Sequence, residues 1–467
     1  MLLERLKSWI ARHRALLVVT LLALAVRLFW NLRVHPPMEF AYSDMGGYVE
    51  RANAIFTEPW VPHPHLTLFP YGTHLYIALV KALFGRDNRA AIGVAFALLG
   101  TLAVAYTYAT AERFTPRVWV RRLVGGLLII YYPWISLNGY ALSEDPFAVT
   151  VAASAYYGLV LADEGRPRDA WLLGLAYGLG VTFRPQIIVS AALFFLVYLL
   201  RRQVFHKMTY GLWARVAVPL GLILAISSVR LYWHTSKDWK DGAIGLVSTN
   251  GPLNLAFGRC HCAAIESHTK DSRGFFGPPS LGALNAYGKE HPGSLFKLDP
   301  VMGETLKIEG YMWEAKPNNE LTRNCIKAAG IARQIKYSIT NVVLLWGYNF
   351  IWPDQGQKPV FRIPMMVWCA AHTIVLMPPM AIAIFLALRK REARTLLLAL
   401  HVWAVVILAA VYFGDTRYRA PYDGIIIILA FETYARAFQY VRDRVKAKAP
   451  KEPAPPALEQ PETAETA

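Results

Sequence analysis

The sequence is short of charge, of cysteine, and of cleavable or repeated segments, and each shortage removes a class of protein. Asp, Glu, Lys and Arg make up 17% of the 467 residues, against 55% hydrophobic ones, where a soluble domain carries about a quarter charged residues. A polytopic membrane protein is the class that fits. There are four cysteines. Cys260-His-Cys262 lacks the second ligand pair that a zinc site needs. Cys325 lies in the same hydrophilic region, so a disulfide from Cys325 to either neighbour is expected if that region is outside the cytoplasm. Arg5, Lys7, Arg12 and Arg14 precede an apolar run, as in a secretory signal. The run ends in Arg27-Leu-Phe-Trp-Asn-Leu-Arg33 without a small-residue cleavage site, and so reads as a retained span. No internal repeat is evident, which weighs against the inverted-repeat transporter folds.

The net charge of +17 would suggest nucleic acid if it were gathered in a soluble domain. It is spread instead over short loops between apolar runs, where Lys and Arg set topology. Runs approaching the roughly 20 residues that a bilayer requires lie near 15–34, 90–111, 123–141, 146–162, 212–234, 364–388, 395–413 and 424–441. A further apolar stretch, 171–200, is broken by Arg184-Pro185. Arg166 and Arg168 precede it, and Arg201, Arg202, Lys207 and Arg215 follow it. If both basic linkers face the cytoplasm, the stretch is a hairpin with its outer turn at Arg184-Pro185. About ten spans result, and both ends of the chain are cytoplasmic. The run Tyr71–Phe84 is too short to cross; it reads as a helix along the outer interface, with Tyr71, Tyr76 and Phe84 at headgroup level.

The expected organisation is a transmembrane module over 1–234 with catalytic outer loops, a loop-rich extracytoplasmic region over 235–362, transmembrane helices over 363–441, and a disordered cytoplasmic tail over 442–467. Within the large region, Asn341–Trp352 is apolar and aromatic, and is expected to lie on the membrane surface or dip into it.

This topology puts Asp44, the pair Glu144-Asp145, Arg184, and Gly414-Asp-Thr-Arg-Tyr-Arg-Ala-Pro421 at the outer ends of spans. Each has a plainer reading. Asp44 could cap the helix that follows, with Glu50 and Arg51 as its solvated face; Glu144-Asp145 could cap before Pro146; Arg184 could snorkel. Arg417 and Arg419 resist such readings, because two arginines in a short outer loop run against the topological bias. An anion would hold them there, and arginine's planar fork suits phosphate. Carboxylates facing arginines at one interface describe glycosyl transfer from a lipid-phosphate sugar: a base activates a hydroxyl, and cations hold the departing phosphate.

The residues that carry this pattern also resemble a known group. Ser43-Asp44, Pro70-Tyr-Gly-Thr-His-Leu-Tyr76, Leu142-Ser-Glu-Asp-Pro-Phe147, Gly178-Leu-Gly-Val-Thr-Phe-Arg-Pro-Gln186 and the Gly414–Pro421 motif are similar to segments of the GT-C glycosyltransferases. The resemblance is to family-39-like enzymes related to protein O-mannosyltransferases and the aminoarabinose lipid A transferase. It implies an all-α polytopic GT-C fold with outer juxtamembrane helices, and an inverting transferase in the inner membrane. Asp44 would be the base, Glu144 or Asp145 an assisting acid, and Arg184 with Arg417 or Arg419 the donor-phosphate site. Tyr48, Tyr76 and Asn250 are the expected acceptor or sugar contacts. Asn250 belongs to Ser248-Thr-Asn-Gly251, which resembles a segment of some of these enzymes and also reads as a simple turn cluster. The expected partners are a polyprenyl-phosphate sugar, a lipid, glycan or protein acceptor, and the bilayer, without nucleic acid. Magnesium or manganese would suit carboxylates and phosphate, though no ligand cluster compels a metal. The rival from another class is a transporter or flippase of a lipid-linked or anionic solute, using Arg27, Arg230, His372, His401 and Glu432 inside spans.

Overall fold

A computed structural model describes residues 10, 11, 13–200, 207, 209–235, 245–261, 263–269, 273–278, 300–347 and 351–448. Helices dominate them. In chain order these are α1 (Arg14–Phe29), α2 (Ser43–Thr57), α3 (Gly72–Phe84), α4 (Arg89–Phe114), α5 (Val118–Ile130), α6 (Tyr132–Asn138), α7 (Glu144–Glu164), α8 (Pro167–Phe183), α9 (Ile187–Leu200) and α10 (Tyr210–Thr235). Then come α11 (Gly251–Arg259), strands β1 (Ala264–His268), β2 (Arg273–Phe276) and β3 (Thr305–Glu309), and α12 (Ala315–Trp346). The chain closes with α13 (Pro359–Ala371), α14 (Met377–Lys390), α15 (Ala393–Val411), α16 (Thr416–Arg419) and α17 (Asp423–Lys448).

Among the described residues, eight helical stretches are long and apolar enough to cross a membrane, some of them built from two consecutive helices. The chain is therefore a multi-pass membrane protein. Helix α7 is central: 78% of its most apolar window is buried, against 22% for the stretch that begins with α1. Its small residues Ala148, Ala152 and Ala155 are buried and allow such close packing. Its C-terminus is Gly165 at φ +65°, where an added Cβ would meet the Lys207 carbonyl at 2.9 Å. Pro167 then restarts the chain as α8, a position that asks for no amide hydrogen.

The stretch over 171–200 is the expected hairpin. Gly174 of α8 packs on Val216 and Gly178 on Ile223, so α8 and α10 run in the same direction and α9 must bring the chain back between them. At one end of the bundle, here the lower end, several connections are laced by ion pairs. Arg113 bonds Asp163 and Glu164, Arg394 holds Asp163 at 2.9 Å, Arg117 bonds Glu432, and Arg436 meets Glu392 at 2.8 Å. Helix α3 stays at the upper end. Leu75, Leu79 and Leu83 form an outward stripe, while Ile77 and Ala78 are buried. The tyrosines, however, are anchored in protein rather than at headgroups: Tyr76 donates to the Ala95 carbonyl (2.9 Å), and Tyr71 bonds Ser227 (3.1 Å).

Two expectations for the later chain need correction. Among the described residues of the region from 235 to 362, loop is the lesser part. The region holds a sheet of order β2-β1-β3, antiparallel between β1 and β2 and parallel between β1 and β3, beside the 32-residue helix α12. Helical spacing of Leu321, Cys325, Tyr337, Leu344 and Leu345 gives α12 a buried face that its polar composition conceals. Residues 341–346 are the end of that helix, with Asn341, Leu344, Leu345 and Trp346 buried; residues 348–350 lie outside the described residues. The tail reading also starts too early, because α17 continues to Lys448.

Cys260 is bonded to Cys325; Cys262 lies outside the described residues. The other end of α12 docks just as closely. Asn341 donates to the Tyr412 carbonyl at 3.0 Å, and a Cβ on Gly414 would stand 1.6 Å from the Asn341 carbonyl oxygen. Gly414→Ala should therefore force backbones apart and cost at least about 1–3 kcal/mol. Gly126→Ala, where nothing lies within 4 Å, serves as control in thermal unfolding in detergent. Equal melting of the two variants would contradict the docking.

Candidate active site

Four separated segments meet at the upper end of the bundle. The first is the start of α2. Ser43 adopts φ +49°, a conformation that costs a non-glycine residue about 1 kcal/mol or more. Asp44 follows in the first turn, and its side chain caps nothing. Its Oδ2 accepts instead from Arg417 Nη1 at 3.0 Å. The second segment is the start of α7, where Glu144 is 1% exposed. Its Oε1 accepts from both Arg184 and Arg417. The third is the break between α8 and α9. Pro185 keeps Arg184 extended (φ −149°, ψ 110°) and ends α8 there. Arg184 Nε donates to Ser143 Oγ at 2.9 Å. The fourth is α16, a single turn capped by Asp415, whose Oδ1 accepts the Arg417 amide at 2.8 Å.

Aromatic rings complete the guanidinium sites. Arg417 lies over Trp352 at 4.6 Å and Arg184 over Tyr418 at 5.2 Å, contacts that stabilise a cation as it leaves water. A cavity of about 940 Å³ opens in front of this cluster. Asp44, Tyr48, Arg184, Asn250 and Arg417 all line it, together with Glu50, Arg51, Gln186 and Asn254. Between α9 and α15 the lining turns apolar, with Ile188, Val189, Val405, Leu408 and Ala409. Burial first, and then the Asp44 charge, push the Tyr48 phenol up to about 12. Tyr48 therefore keeps its proton at neutral pH and faces the cavity as a hydrogen-bond donor.

The paired acids separate. Glu144 lies behind the cavity wall and holds both arginines. Asp145, about 100° further round the helix, points elsewhere and accepts from Asn138 Nδ2 at 2.5 Å. Arg419 parts from Arg417 in the same way. It is fully buried, pairs with Asp423 at 3.0 Å, and donates to the Trp346 carbonyl at 3.3 Å. Asp145, Arg419 and Tyr76 do not line the cavity.

Arg51 departs from the sequence reading in the other direction. Solvated in the plainer reading of Asp44 as a cap, it is 8% exposed, bonds the His65 carbonyl at 3.1 Å and lines the cavity. Ser143, Trp352 and Tyr418 also contribute without having been foreseen. Ser143 and Tyr418 lie inside two of the motifs quoted above, without a role assigned to them there, but only the fold brings Trp352 to Arg417.

The residues proposed for a transporter pathway are engaged elsewhere. Arg27 donates to the Ala23 carbonyl, Arg230 meets His74, His372 meets Asp423, and Glu432 belongs to the lower-end ion pairs. His401 is buried beside Tyr177. None of the five lines the cavity. The donor set also fits a divalent cation poorly. Asp44 and Glu144 are both bound to Arg417, and among the described residues no three His, Cys, Asp or Glu side chains gather as metal ligands.

Removing the Glu144 charge leaves two desolvated guanidinium groups uncompensated. Glu144→Gln should therefore cost about 3–5 kcal/mol. Asp44→Asn, at a side chain that is 27% exposed, should cost no more than about 1 kcal/mol. Denaturation in detergent compares the two, and equal losses would contradict the central place given to Glu144.

Residues 69–233 match the sequence model of a family described as dolichyl-phosphate-mannose-protein mannosyltransferase. Among solved structures, the chain is similar to archaeal oligosaccharyltransferase AglB from Archaeoglobus fulgidus, in complex with an inhibitory peptide and a dolichol-phosphate. The identity is 12%, the coverage 96% of this chain and 53% of that one, and the TM-score 0.48. It is also similar to ArnT from Cupriavidus metallidurans bound to undecaprenyl phosphate, at 15% identity, 95% and 81% coverage, and a TM-score of 0.36. The chain thus spans about half the length of the oligosaccharyltransferase. No curated protein matches it. What the chain shares with the dolichyl-phosphate-mannose-protein mannosyltransferase family is thus a segment, residues 69–233, in a multi-pass helical fold.

Proposed function

We propose that the protein is an inverting glycosyltransferase that moves a sugar from a polyprenyl-phosphate carrier to a hydroxyl of an envelope acceptor, at the extracytoplasmic face of the inner membrane. The observation that carries this reading is the meeting of Asp44, Arg184 and Arg417 in one cavity that continues into an apolar slot between two membrane helices. A lipid phosphate has the same division: an anionic head for the arginines and a hydrocarbon tail for Ile188, Val189, Val405 and Leu408. The family match supports a lipid-phosphate sugar as donor.

Asp44 accepts the proton of the acceptor hydroxyl as its oxygen attacks the anomeric carbon. The bond from that carbon to the phosphate oxygen breaks, and its electron pair leaves with the phosphate. A single displacement inverts the centre. The leaving group needs no proton, so positive charge is what the site must supply, and Arg184 and Arg417 supply it. Arg417 also couples donor to base. Without donor its Nη1 binds Asp44; an arriving phosphate competes for that donor and frees the carboxylate for the acceptor. Glu144 keeps both guanidinium groups in place throughout. Asn250, Asn254 and Tyr48 are positioned to bond sugar hydroxyls.

The sidedness rests on two features. The disulfide at the upper end suits an oxidising compartment, and the lower-end connections are rich in arginine, as cytoplasmic loops are. The transporter reading is the weaker one, because its candidate residues lie outside the cavity.

Transfer from a radiolabelled polyprenyl-phosphate sugar in detergent tests the proposal. Asp44→Asn should lower kcat by about 10²–10⁴-fold while the protein stays folded, and full activity would refute the base. Arg417→Ala should raise KM for the donor, and unchanged donor kinetics would reduce Arg417 to a structural anchor. Mass spectrometry of envelope lipids and glycans from a deletion strain would identify the sugar and its acceptor.

A further inference from the structure

Helix α12 changes character at Gly330, whose φ of +68° interrupts the helical run. Before it, Cys325 is tied to Cys260 and the outward positions are mostly polar, Asn324 among them. After it, Ile331, Ile335 and Ile339 are 83%, 56% and 57% exposed. A spacing of four residues puts them on one stripe. The opposite face, with Tyr337, Asn341 and Leu344, is buried. The exposed stripe therefore belongs to a segment already fixed in place.

Its level in the molecule says what covers it. Arg259 bonds Ser338 at 3.1 Å and, through Nη2, the Ala410 carbonyl at 2.6 Å. Ala410 lies in the last turn of the membrane span α15, whose Ile407 and Val411 also face outward. The isoleucines thus stand where the lipid-facing surface ends. No acid occurs from 331 to 346, while Arg333 and Lys336 are basic, and Lys327 precedes the break. A second copy is disfavoured as the occupant, because a two-fold pairing of this face would bring the same cations together.

We propose that α12 from Gly330 onward lies in the bilayer surface, with its isoleucines at the acyl boundary and Arg333 and Lys336 on the phosphates of anionic lipid headgroups. The partner is an anionic lipid surface, whatever sugar the enzyme moves. The same helix clasps Tyr412 through Asn341 and lines the cavity with Leu345, so its seating sets the height of the cavity relative to the leaflet.

The test uses the full chain in nanodiscs of phosphatidylglycerol and phosphatidylcholine, with Cys262→Ser as background. A polarity-sensitive dye or a spin label is placed by Ile335→Cys or by Asn324→Cys. An unbroken helix would put both positions on one face, so only the change at Gly330 separates them. The dye at 335 should be blue-shifted and quenched by nitroxide-bearing lipid, and the dye at 324 should read water. Replacing phosphatidylglycerol should weaken the signal at 335. Arg333→Glu with Lys336→Glu should lower phosphatidylglycerol enrichment around the protein by about fivefold per charge. A water-like signal at 335, equal signals at both positions, enrichment unchanged by the charge reversals, or dipolar broadening between copies labelled at 335 would overturn the proposal.

Discussion

The structure depends on one carboxylate shared between two guanidinium groups. Glu144 is almost wholly buried, and it accepts from Arg184 and from Arg417. The three side chains come from the start of α7, the break after α8 and the turn before α17. Taking any of these charges out of water alone would be prohibitive. Together, with Asp44 on the free edge of Arg417, they balance. The bundle can therefore close at this end only when all four segments arrive, and the cavity they line is a by-product of that closure.

The surrounding devices serve the same junction. Asp415 fixes the single turn that aims Arg417, and Pro185 stops α8 where Arg184 must turn inward. The left-handed Ser43 brings Asp44 to Arg417, a local cost carried by the contacts around it. Close approaches at Gly258 and Gly414 let α11 and α12 press on the loop before Arg417. Helices α11 and α12 are thus part of the wall that holds the arginine. Neighbouring residues are sorted by helical geometry: Glu144 and Arg417 turn toward the site, while Asp145 and Arg419 turn into separate buried networks.

Much of this could be read from the residues, and what could not has physical causes. The spans followed from hydrophobic length, and the hairpin at Arg184-Pro185 from the bookkeeping of positive charge, both of which act over long runs of chain. Asp44, Arg184 and Arg417 stood out because ionisable groups at span ends oppose the bilayer's preference. Choosing Glu144 over Asp145, or Arg417 over Arg419, needs the rotation of a helix to within about a quarter turn, which span boundaries do not fix. Arg51 looked solvated because its helix is mixed in composition, yet the fold lays Phe69 and the His65 carbonyl over it. Helix α12 was hidden by Asn, Lys and Arg on its solvent side. Trp352 reaches Arg417 only through tertiary packing.

The measurement closest to the central claim is the binding of polyprenyl phosphate, the departing product, to purified wild-type, Asp44→Asn and Arg417→Gln proteins. If phosphate and Asp44 compete for the same guanidinium, the wild type binds, Asp44→Asn binds at least as tightly, and Arg417→Gln loses affinity. No binding by the folded wild type, or equal affinity in all three, would contradict the account.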